Sequence, residues 1–91
     1  MMLKYEFVLM EMGDRYIAFT VGDSMKAHRG LLNMDSTGAM IFRYLKNDVE
    51  ETDLIARVAA AFPEEKPGDV ADTVRSFIEK LIRAGLVNAP A

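Results

Sequence analysis

The 91 residues, 51% hydrophobic and 27% charged, are enough for one globular domain and too few for a second core. Cysteine is absent, which excludes disulfides, thiolate metal sites and thiol nucleophiles. A formal net charge of −3 argues against a nucleic-acid partner, whose binding would rest on neutralising phosphates.

Tyr5 to Met12 and Arg15 to Val21 are rich in aromatic and β-branched residues and are separated by Gly13-Asp14. A glycine with a short polar neighbour suits a tight turn, so the two segments read as a β-hairpin. Alternation puts Tyr5, Phe7 and Leu9 on one face and Val8, Met10 and Met12 on the other. Neither face is polar, and a sheet apolar on both sides is usually covered on both. Self-association, a partner, or long-range packing of the chain ends would cover the spare face. Gly22-Asp23-Ser24 reads as a turn, the stretch to Arg29 is mixed, and Gly30 to Asn33 reads as a short third strand.

Asn33, Asp35 and Ser36 then offer side-chain oxygens to the amides of a helix start. A first helix is expected over about residues 36–46, with Met40, Ile41, Tyr44 and Leu45 at helical spacing. A second begins near Thr52, with Leu54, Ile55, Val58 and Phe62 as its stripe. Pro63, Pro67 and Gly68 interrupt it, and Asp69 is expected to cap a third helix that ends at Gly85, where Leu86 can fold back on Leu81. The expected core is Leu32, Ile41, Leu45, Leu54, Val58, Phe62, Val74, Phe77 and Leu81.

On the third helix, Val70, Val74, Phe77 and Leu81 fall within a stripe of about 60° at 100° per residue. Ala71, Ile78 and Ile82 widen it on one side only, with Arg75 at their edge, while Thr73 and Lys80 occupy the opposite flank. Either the helix simply has a broad core face, or it gives one seam to the core and lines a groove with the other. Beside an open third-strand edge, such a groove suits a peptide that adds as an extra strand. Arg75 could then meet an acidic peptide residue and Glu79 a basic one.

The stretch Gly30-Leu31-Leu32-Asn33-Met34-Asp35-Ser36-Thr37-Gly38, the run Ile41 to Leu45, the helix opening at Thr52 and the ending Ala84-Gly85-Leu86 carry a resemblance. The chain resembles the PQQ-biosynthesis protein D (PqqD) family, whose fold recurs as the recognition element of ribosomal-peptide modification systems (the RiPP recognition element). The resemblance implies an α+β, winged-helix-like domain spanning residues 1–91, a three-stranded antiparallel sheet followed by three helices. It implies that the domain binds a precursor (leader) peptide between the third strand and third helix and presents it to a radical S-adenosylmethionine enzyme. The matching positions are Gly30, Leu31, Leu32, Asn33 and Met34 on the strand, and Arg75, Ile78, Glu79 and Ile82 on the helix. Met25 to Arg29 shows no family pattern, which leaves the start of the third strand open.

Residues for catalysis are not evident. His28 is the sole histidine and reads as an exposed loop residue without a metal partner. Asp48, Glu50, Glu51 and Asp53 read as a solvated helix start and lack calcium-loop spacing. Ser24, Ser36, Thr37 and Ser76 lack a base to activate them, and no glycine-rich phosphate loop is present. The expectation is therefore a binding protein with no metal, no cofactor and no enzymatic activity. No apolar run approaches the ~20 residues that span a bilayer, and no basic segment leads into an apolar one at the start, so a cytoplasmic protein is expected. Two rival readings are a winged-helix DNA-binding regulator and a structural homodimeric accessory subunit. Against the first, Arg57 stands among acidic and alanine positions, and Arg75, Lys80 and Arg83 are spread around the last helix and offset by Asp69, Asp72 and Glu79.

Overall fold

The computed structural model describes residues 1–88. Strands β1 (Phe7–Met12), β2 (Arg15–Thr20) and β3 (Leu31–Met34) form one antiparallel sheet in the order β1-β2-β3. Helices α1 (Ser24–Ala27), α2 (Ser36–Tyr44), α3 (Glu51–Ala61) and α4 (Pro67–Arg83) complete the chain. This is the expected α+β arrangement of a sheet followed by three helices, with one addition. The addition is α1, a four-residue turn with no buried residue, so no apolar periodicity announces it.

The β1–β2 turn closes on Gly13, whose φ of +66° is open to glycine, and pairs Met12 with Arg15. Register then places Phe7 and Leu9 beside Thr20 and Ala18, and Ala18 beside Leu32, on an inner face. Helix α2 covers that face, with the Phe42 ring edge-on to Phe7 at 5.1 Å. In turn α3 lies against α2, and α4 against α3. Ile41, Leu45, Leu54, Val58, Val74 and Leu81 are buried as their helical phase requires, and they join Met34, Val70, Ile78 and Leu86 in the core. Leu32, Phe62 and Phe77 were expected there but are only half-buried. The outer face is uncovered: Val8, Met10 and Met12 are 41%, 46% and 52% exposed. The N-terminal residues do not cover it. Residues 1–4 are held elsewhere, by Leu3 N–H on the Leu45 carbonyl, Lys4 N–H on Leu86 and Val49 N–H on Met1.

Three local expectations need correction or find support. Helix α4 starts at Pro67 with Lys66 as its cap, and Asp69 lies in the first turn, because proline at the first helical position loses no hydrogen bond. The α4 end is as expected: Gly85 takes φ +76° and the Leu86 amide donates to the Leu81 carbonyl at 2.9 Å. His28 is half-buried rather than exposed. Its ring stacks on Tyr5 with centroids 6.0 Å apart, and its carbonyl accepts from Thr20 Oγ1 at 2.6 Å.

Candidate functional site

Strand β3 is an edge strand, and a cleft of about 480 Å³ separates it from α4. Leu32, Asn33, Met34 and Asp35 form its strand side, and Thr37, Gly38 and Ile41 of α2 close the bottom. Helix α4 supplies Asp72, Thr73, Ser76, Phe77, Lys80 and Leu81, and Arg15 reaches in from the start of β2. The floor is apolar and the helix wall is polar.

Local chemistry fixes this geometry. Asp35 leaves β3 in an extended conformation and accepts the Gly38 amide at 2.8 Å, which turns the chain directly into α2. Gly38 is buried, and a Cβ there would lie 2.9 Å from Phe77 Cε1 and 3.1 Å from Met34 Cβ. The missing side chain thus lets the Phe77 ring settle against the start of α2.

Helix α4 runs opposite to β3. Its early residue Thr73 shares a hollow with Thr37, just past the end of β3, and Phe77 sits beside Met34 and Gly38. At its far end, Leu86 accepts from Lys4, next to the start of β1, where Phe7–Thr20 and Phe19–Leu31 pairing also places the start of β3. Asp72 therefore lies toward the Met34–Asp35 end of the cleft and Lys80 toward the Leu31–Leu32 end.

Of the residues singled out in the sequence, Leu32, Asn33 and Met34 line the cleft. Leu31 is 69% exposed at the strand entrance and, with Gly30, belongs to a shallower hollow beside Phe19 and Met25. The helix positions do not reach it. Ile78 is 3% exposed in the core, and Ile82 is half-buried against the core. Arg75 Nε contacts Glu51 Oε1 of α3 at 3.6 Å, and Glu79 contacts Arg83 at 3.7 Å. The apolar widening of this helix packs into the core through Ile78 and Ile82, with Arg75 at its edge reaching α3, and the flank of Thr73 and Lys80 faces the cleft. The missed residues are Asp72, Thr73, Ser76 and Lys80, whose signal was the polar character of that flank, and Phe77, which its helical spacing had assigned to the core.

Among the described residues neither Asp72 nor Lys80 makes an ion pair, whereas Arg75, Glu79 and Arg83 all do. Also among the described residues, no group of three or more His, Asp or Glu side chains is placed to hold a metal ion.

No curated protein sequence matches this chain. In fold it is similar to TbiB1, solved in complex with the TbiA(beta) leader peptide, at a TM-score of 0.74 and 15% identity, covering 100% of this chain and 99% of that one. At that identity the likeness speaks for the fold, and it extends from end to end. The model of the family described as coenzyme PQQ synthesis protein D (PqqD) matches residues 6–87, from just before β1 to just past α4. With the sheet, the helices and the cleft all inside that span, the chain belongs to the PqqD family.

Proposed function

We propose that this protein captures a precursor (leader) peptide by strand addition at the free edge of β3 and holds it in the cleft against α4. The observation that carries the reading is the cleft itself, an unpaired strand edge facing an apolar floor and a polar helix wall. Edge backbone groups bind any extended segment, and pockets for alternate side chains give selectivity. Family membership and the likeness to TbiB1, which holds a leader peptide, support the same reading. On the strand side the site comprises Leu31, Leu32, Asn33 and Met34, with Gly30 leading in. On the helix side it comprises Asp72, Thr73, Ser76, Phe77 and Lys80, in place of Arg75, Ile78, Glu79 and Ile82.

The protein acts here as a cytoplasmic adaptor without chemistry of its own, presenting the bound peptide to a modifying enzyme. The PqqD resemblance points to an enzyme of the radical S-adenosylmethionine class. The uncovered outer face, with Val8, Met10 and Met12, is assigned to a homodimer contact.

The test is an NMR titration of the ¹⁵N-labelled protein with the precursor peptide. Amide shifts should move at Leu31–Met34 and along Asp72–Lys80. Shifts confined to Phe7–Met12, the other sheet edge, would overturn the site.

A further inference from the structure

We infer that the cleft selects its peptide by charge order, taking an extended segment that reads cation, apolar residue, anion from N- to C-terminus at alternate positions. The inference rests on the strand-addition reading and adds the class of peptide sequence that the site accepts.

Asp72 and Lys80 are eight positions apart on α4, about 12 Å along a helix rising 1.5 Å per residue. An extended chain advances about 3.4 Å per residue, so residues i and i+4 on one face span about 13.6 Å. One peptide face therefore reaches both charges, with residue i+2 between them over Phe77. Phe77 is half-buried, and Leu32, Met34 and Ile41 surround the same floor, so the middle position takes an apolar side chain.

Direction follows from topology. Because α4 runs opposite to β3, a peptide antiparallel to β3 runs alongside α4 in the same sense. Its N-terminal side meets Asp72 and Asp35, and its C-terminal side meets Lys80. Arg15 lines the first of these ends, leaving it one net negative charge from two carboxylates and one guanidinium. Lys80 gives the other end one positive charge. Asp72 and Lys80 have no ion-pair partner among the described residues, so peptide charges need not displace an existing pair.

The experiment uses two short capped peptides in a threonine frame, one with the core Lys-Thr-Leu-Thr-Glu and one with the reverse order, Glu-Thr-Leu-Thr-Lys. Each is titrated by NMR against the ¹⁵N-labelled chain and against the Asp72→Lys/Lys80→Glu double variant. Both substituted positions are exposed, and far-UV circular dichroism checks that the variant is folded. The lysine-first peptide should bind the native chain about fivefold more tightly, a preference that shrinks in high salt and inverts in the double variant. Equal affinities with shifts still at Leu31–Met34, or a native preference for the glutamate-first peptide, would overturn the charge order and leave the cleft standing. No shift at Leu31–Met34 or along α4 with either peptide would overturn the cleft reading as well.

Discussion

Gly38 and Asp35 together set how closely α2, β3 and α4 approach. Alanine favours a helix over glycine by about 1 kcal/mol, so Gly38→Ala would normally stabilise. Here its methyl would meet Phe77 Cε1 at 2.9 Å and Met34 Cβ at 3.1 Å. Such overpacking costs ~1–3 kcal/mol, so the expected result is a net loss of about 1 kcal/mol in urea unfolding. Asp35→Ala removes the acceptor for the Gly38 amide and should cost about 1 kcal/mol in the same assay. Asp35→Asn keeps a capping oxygen and should unfold close to the native midpoint, whereas equal losses in both variants would assign the effect to charge.

Among the elements, α4 carries the main division of labour. Its stripe of Val70, Val74, Ile78 and Leu81 is buried, and its two flanks part company. One turns to α3 through Arg75, and the other faces the cleft through Thr73, Ser76 and Lys80. Ile78→Ala should therefore cost ~2–5 kcal/mol of stability as a core truncation. Phe77→Ala should weaken precursor-peptide binding about tenfold, while Ile82→Ala leaves it unchanged in calorimetric titration of the folded variants. A larger affinity loss at Ile82 than at Phe77 would move the site to the other flank. The helical period was legible in the sequence, since Val70, Val74 and Leu81 are buried as their spacing requires, with Phe77 half-buried at the edge of the same stripe. Which flank stayed open was not legible, because an apolar flank looks the same whether a helix or a peptide covers it.

At the scale of the whole molecule, α2 covers one side of a three-stranded sheet with α3 and α4 stacked in turn, and the other side leaves Val8, Met10 and Met12 exposed. Met10 and Met12 on that side should hold two copies together, so sedimentation at high protein concentration should give a dimer. Met10→Glu should yield a monomer with peptide affinity intact, because Met10 lies on β1, at the sheet edge opposite the β3 edge that borders the cleft. A native monomer at high concentration would remove the assignment.

The sequence by itself determined the hairpin, a short third strand read over Gly30 to Asn33 and found one residue later at Leu31–Met34, the three long helices, and the capping at Asp35 and Gly85. Each is a local matter, written in alternation, helical spacing or the conformational needs of one turn. Through short hydrophobic patterns it also disclosed the family. The tertiary structure decided what local spacing does not encode: that α3 occupies the Ile78–Arg75 flank, that α4 runs against β3, and that Asp72 and Lys80 stand unpaired at opposite ends of one cleft. Those relations join residues from 24 positions apart (Glu51 and Arg75) to 43 apart (Met34 and Phe77), and their outcome depends on which surfaces bury one another.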